Sequence, residues 1–216
     1  LVEALRHDCA GRRRHRAARR VRYLTLALNH PLWQEAQSME RYVVTPHEGI
    51  GSLKLGMSPA EILAAIQNDL TELKIVSKRG IQISQDAGTR PNFQTLRYME
   101  DIYFSMVRYQ NGKAIEISVD RELRDEVKVS LYDLDVFHTP AEDVIRFMKQ
   151  FGPCIHGEPD EQLSTEYEFP ALGIRFWRER AFHEKLLQDR AYVEAMQLVL
   201  EEEKRYLYFD IVTVRP

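Results

Sequence analysis

The chain has 216 residues, 44% hydrophobic and 29% charged, which is enough for a sizeable core and too apolar for general disorder. Its formal charge of −3 divides unevenly: residues 1–38 carry eight Arg and no Lys against Glu3, Asp8 and Glu35, a balance of +5 that leaves −8 for residues 39–216. An acidic body repels nucleic acid and anionic lipid, no run approaches the roughly 18 apolar residues of a membrane helix, and two cysteines, Cys9 and Cys154, are too few for a disulfide framework and fit a reducing, cytoplasmic compartment.

Residues 12–22 pack seven arginines beside His15 with no acid among them, so the segment 1–38 is expected to be solvated and disordered or weakly helical. Three readings stay open. A nucleic-acid arm would have few aromatics beyond Tyr23. A targeting peptide would have only the short apolar stretch Tyr23 to Leu28, which ends at Asn29-His30-Pro31 without a small-residue cleavage site. The preferred reading is an extension not native to the domain, because the chain opens on Leu1 and its composition changes at Met39, the first methionine. One domain is therefore expected over 39–216.

Within that body, Tyr42 to Val44 predicts a strand, and Gly51 and Gly56 bracket a short strand around Leu53 and Leu55. Ser58-Pro59-Ala60-Glu61 then reads as a helix start, with a hydroxyl to cap free N–H groups, proline at the first position and a glutamate able to reach back. Ile62, Leu63, Ile66 and Leu70 continue it at helical spacing to about residue 70. Short alternations follow around Ile75 and Ile83, then a polar loop. Asn111-Gly112 between the alternating runs 102–109 and 113–119 predicts a tight hairpin. A strand at 127–136 leads to Thr139-Pro140-Ala141-Glu142, which repeats the first helix start 81 residues later and opens the stripe Val144, Ile145, Met148 and Phe151 before Gly152-Pro153. A strand pair at 167–169 and 174–177 follows. Phe182, Leu186, Val193, Met196 and Leu200 then predict one long helix over 181–204, and a strand at 206–214 closes the chain.

The fold class expected is α+β: two strand–helix–strands repeats with both helices packed on antiparallel sheet, plus that extra long helix. Chemistry is harder to find. His47, His138, His156 and His183 stand singly, no CxxC is present, and no metal or cofactor site is expected. Gly49-Ile50-Gly51 lies too far before Ser58 to cradle a phosphate. Asp133 with Asp135, and Glu166 with Glu168, alternate on strand faces as solvated acids rather than as a catalytic pair. Cys154 and His156 lack an orienting third group, so no catalytic residue is assigned. Trp177 either packs under the long helix or anchors a partner, and packing is preferred. Glu194 and the run Glu201-Glu202-Glu203 are either a solvated helix face, the reading preferred, or an acidic surface on which a basic protein docks.

The stretch Gly51-Ser52-Leu53-Lys54-Leu55-Gly56-Met57-Ser58-Pro59-Ala60-Glu61 resembles the opening of the small α/β repeats of beta-lactamase-inhibitor-protein-like folds and outer-membrane assembly lipoproteins. Phe169-Pro170-Ala171-Leu172-Gly173-Ile174-Arg175-Phe176-Trp177-Arg178-Glu179 is similar to a segment of bacterial cytoplasmic proteins that are themselves similar to toxin-immunity proteins. The long helix over 181–204 and the lack of a lipobox cysteine depart from these patterns. Negative charge together with the lack of a recognisable catalytic constellation makes the leading expectation a non-enzymatic protein-binding module, an immunity-type inhibitor of a basic toxin, with contacts at Glu194, Glu201, Glu202, Glu203 and Trp177. The alternative is a small-molecule-binding or enzymatic domain with a pocket between helix and sheet and Asp133, Asp135 or His138 at its mouth. No nucleic-acid or membrane partner is expected.

Overall fold

A computed structural model describes residues 41–75, 80–86, 92–99 and 103–216, all within one compact unit, Glu40–Pro216. The expectations for the basic segment 1–38, including Cys9, lie outside the described residues.

Three short strands open the domain: β1 (Arg41–Thr45), β2 (Gly49–Ile50) and β3 (Leu53–Lys54). Gly51 turns between the last two at φ +56°, where a Cβ would stand 1.8 Å from Cε2 of the buried Tyr42 ring. Helix α1 (Pro59–Glu72) starts as the sequence predicts. The Ser58 hydroxyl accepts from the Glu61 N–H, and Glu61 Oε2 accepts from the Ser58 N–H at 2.7 Å. A meander of four strands follows: β4 (Gln82–Gln85), β5 (Phe93–Met99), β6 (Tyr103–Gln110) and β7 (Lys113–Asp120). Asn111 and Gly112 join β6 to β7 with φ of +52° and +73°, the left-handed pair that Asn-Gly favours.

The single strand expected over 127–136 is instead a hairpin, β8 (Lys128–Leu131) and β9 (Leu134–Asp135), because Tyr132 turns the chain at φ +54°. Helix α2 (Ala141–Met148) follows, but its start differs from the first: Pro140 is the N-cap and no side chain caps the helix. Asp135 instead accepts from the N–H groups of Phe137 and His138 just upstream. Then come β10 (Ile155–His156), β11 (Glu166–Phe169), β12 (Ile174–Trp177) and, at the end, β13 (Ile211–Val214).

The long helix expected over 181–204 is not formed. Short pieces replace it: a 3-10 turn (Glu184–Gln188), helix α3 (Arg190–Met196), helix α4 (Leu200–Glu203) and a second 3-10 turn (Lys204–Leu207). Asp189 ends the first piece and caps the second by accepting from Ala191 and Tyr192 N–H. There is also a geometric reason. The carbonyls of Phe182 and Tyr206 bond the same guanidinium nitrogen of Arg178, at 3.1 and 3.0 Å. A straight helix between them would hold its ends roughly 35 Å apart at about 1.5 Å per residue.

The described residues thus form an α+β fold with four α-helices and two sheets. The smaller sheet has the order β3-β2-β1-β8-β9 and the larger β10-β11-β12-β13-β7-β6-β5-β4. All pairs are antiparallel except β1 with β8. One core unites Ile62, Ile66 and Leu70 of α1 with Val144, Ile145 and Met148 of α2 and with Ile117, Val119, Tyr167, Phe176 and Val212 of the large sheet. The register puts Glu168, Arg175, Thr213 and Ser118 in one row on the opposite face of that sheet.

Candidate protein-interaction surface

The sequence between β12 and β13 is an insertion whose base is fastened by one buried side chain. Alternation along 174–178 turns Ile174, Phe176 and Arg178 inward, and Arg178 is 1% exposed. All of its nitrogens are occupied. Nε donates to the Ser164 carbonyl (3.1 Å), Nη1 to Phe182 and Tyr206, and Nη2 to the carbonyls of Gln162 and Ser164 (both 3.0 Å) and to the Tyr167 hydroxyl (3.2 Å). Burial lowers its pKa from the usual arginine value, with the Tyr167 hydroxyl acting in the opposite direction. The guanidinium therefore gathers the segment before β11 and both ends of the insertion at one point.

Ion pairs hold the rest of the base. Lys185 pairs with Asp160, Glu179 pairs with Arg205 while accepting from the Tyr206 hydroxyl, and the His183 ring lies against the Glu142 carboxylate of α2. The Lys185 ammonium lowers the pKa of Asp160, so that carboxylate stays ionised. Beyond the base the insertion projects exposed apolar side chains: Leu198 is 92% exposed, and Leu187 and Val199 are exposed as well.

The acidic residues singled out in the sequence separate here. Glu194 on α3 and Glu201 and Glu202 on α4 are exposed, Glu201 with Lys204 as an i,i+3 partner. Glu203 is buried and belongs to the interior side, 3.0 Å from Arg180, so it is a fastening of the base rather than a docking residue. Trp177 ends β12 on the outer face of the large sheet, beside Glu166 and Ile211, and is 37% exposed.

Elsewhere the expected chemistry does not assemble. Glu166 and Arg175 pair, Arg175 also bonds Glu116 at 2.8 Å, and Glu168 pairs with Arg215, so the acids of that sheet face are neutralised by arginines. Cys154 has its pKa pushed up to about 11 by burial, and the His156 ring turns to the Glu158 carbonyl. Asp135 bonds His138 at 3.2 Å, while Asp133 is fully exposed near Arg41. A groove of about 410 Å³ between α2 and the 161–162 turn is lined by Glu142, Ile145, Arg146, Lys149, Glu161 and Gln162, and another of about 330 Å³ lies beside the end of α1, lined by Gln67, Leu70, Thr71, Ile75, Gly80 and Ile81. Among the described residues no group of three His, Cys, Asp or Glu is placed to hold a metal ion, and no helix is long and apolar enough to cross a membrane.

Sequence reasoning missed Arg178. The signal was present in its parity: an arginine on the inward side of an alternating run is a buried cation in need of acceptors. No protein-family model matches the chain. No curated protein matches it either. Among solved structures it is similar to the uncharacterized protein yfeY from Escherichia coli, at 14% identity and a TM-score of 0.41, covering 80% of this chain and 99% of that one.

Proposed function

We propose that the chain is a non-enzymatic protein-binding module, an immunity-type inhibitor acting in the bacterial cytoplasm, which docks a basic protein such as a toxin on the insertion 183–203. The observation that carries this reading is the almost fully exposed Leu198 lying between Glu194 and the pair Glu201 and Glu202 on a segment clamped at its base. An apolar anchor rimmed by acids suits a partner with a pocket and a basic rim. Like-signed acids speed encounter with such a partner, and a clamped base spares part of the ordering entropy of binding. Trp177 is a separate exposed aromatic on the large sheet and a second contact candidate.

We also infer that the body is an internal duplication. Each half runs through short strands, a helix and a four-strand meander, and the large sheet reads outward from its β13–β7 join as two equivalent series. The two helix starts, Ser58-Pro59-Ala60-Glu61 and Thr139-Pro140-Ala141-Glu142, fall at corresponding places. A beta-lactamase-inhibitor-protein-like relationship fits such a duplication.

The test is co-expression with the product of the adjacent gene. Co-purification and growth protection are expected, and both should be lost when Glu194, Glu201 and Glu202 are changed to Lys together with Leu198→Asp. Failure of the pair to co-purify or protect, or binding that the quadruple variant leaves intact, refutes the proposal. A second reading, small-molecule binding, rests on the 410 Å³ groove beside α2. It predicts that Arg146→Ala and Lys149→Ala abolish a ligand-induced rise in melting temperature from a metabolite mixture.

A further inference from the structure

The large sheet ends at β4, and the way it ends points to a partner. All four residues of β4 are exposed, none is charged and none is proline, so this short edge strand carries neither a charged side chain nor a proline to deter pairing. Ile83 stands opposite Tyr98, whose side chain is fully buried, and so projects on the face that forms the core elsewhere in the sheet. Yet Ile83 is 47% exposed, so the core face is open to solvent at this edge.

The backbone alternation fixes which groups face outward. The Asp86 N–H donates to the Thr95 carbonyl at 3.1 Å. In an antiparallel ladder this makes Ser84 and Gln82 the residues bonded to β5 and turns the N–H and C=O of Ile83 and Gln85 away from the sheet. The residue whose side chain is an uncovered core hydrophobe is thus also the one offering an outward donor and acceptor.

We propose that the protein forms a homodimer by antiparallel pairing of β4 with β4 of a second copy, with Ile83 on the two-fold axis. In that register each Ile83 exchanges two backbone hydrogen bonds with Ile83 of the second copy, Gln82 lies opposite Ser84, and Ile81 lies opposite Gln85. Residues directly opposite share a face, so the two Ile83 side chains meet on the core side and extend the apolar layer across the join. No like charges are brought together. The isologous contact closes on itself as a dimer, whereas pairing β4 with the opposite edge, the two-residue β10, would build a ring or an open polymer from a strand directly preceded by Pro153 and Cys154.

The experiment is sedimentation equilibrium of the full chain from low-micromolar to millimolar concentration, together with amide hydrogen exchange at both ends of that range. The expected mass rises toward twice the monomer. Ile83→Lys, which sets two ammonium groups on the axis, and Ile83→Pro, which deletes an N–H the monomer does not use, each weaken association at least about tenfold, while Ile83→Val leaves it intact. In the unaltered chain the amides of Ile83 and Gln85 gain protection with concentration and those of Gln82 and Ser84 do not change, a readout independent of how well the variants fold. A monomeric mass at every concentration overturns the proposal, and this is also what an edge reserved for a strand of another protein would give. So does a dimer in which the Ile83 and Gln85 amides gain no protection.

Discussion

Replacing Arg178 with Met tests whether one guanidinium fastens the insertion. Methionine keeps most of the volume and supplies no donor. Four main-chain carbonyls, those of Ser164, Gln162, Phe182 and Tyr206, lose their hydrogen bonds from Arg178, as does the Tyr167 hydroxyl. At about 1 kcal/mol for each carbonyl left unpaired, the low end of the usual range, the loss is about 4 kcal/mol. Removing a buried cation that no carboxylate bonds among the described residues returns part of that, and a net loss of about 3 kcal/mol remains. For a domain of this size that corresponds to a fall of about 6–12 °C in melting temperature. The distribution of the effect matters more than its size. Hydrogen exchange should accelerate throughout 183–203 while the amides of β7 keep their relative rank. Arg178→Lys should resemble Arg178→Met, since a single ammonium cannot bridge Phe182 and Tyr206 while also reaching Ser164. A melting temperature within about 2 °C of the unaltered protein, with exchange in the insertion unchanged, would refute the clamp.

Asp120 has its pKa raised from 3.8 to about 6, chiefly by burial and further by the charges of Glu122 and Asp210, against the Glu122 N–H and the Arg121 guanidinium, which lower it. A carboxyl raised on folding contributes stability that is fully present below the unfolded value and lost as pH rises through about 6. Asp120→Asn, which can keep the cap on Glu122 N–H, should therefore stabilise the protein by about 1–2 kcal/mol at pH 7.5, after discounting for partial exposure, and flatten the stability profile between pH 4 and 6; denaturant titrations at four pH values measure it. Ser58→Ala should cost about 1 kcal/mol and Thr139→Ala clearly less, because only the first hydroxyl caps a helix; paired urea titrations compare them. Gly51→Ala should cost about 2 kcal/mol or more, seen in the same titration, since the new Cβ meets the Tyr42 ring at a left-handed backbone position.

Local signals were the readable part of this fold. Asn111-Gly112 and the Ser58–Glu61 box each act within four residues, and both sit where their chemistry places them. The second start was only half readable: Thr139 has the right residue type, but no side chain caps α2, and Asp135 bonds the N–H groups just upstream through a turn whose shape depends on Tyr132. The segment 181–204 has helical spacing throughout, yet its ends are drawn together by a side chain three residues before it begins. Periodicity inside the segment carries no record of that contact. Glu203 shows the same limit among the candidate contacts. Sequence sets it in a solvated acidic run with Glu201 and Glu202, whereas in the fold it is buried and paired with the distant Arg180.

The two sheets are each sewn across the middle of the chain by one seam, β1 with β8 and β13 with β7. Neither seam can close until the chain beyond residue 120 has been made, so the first half emerges from the ribosome with both its sheet margins open. That half must wait, half-built and sticky, for the second to arrive. Folding should accordingly be slow for a chain of this length, and synthesis halted near the 3-10 turn at 121–125 should leave an aggregation-prone fragment rather than a finished smaller domain.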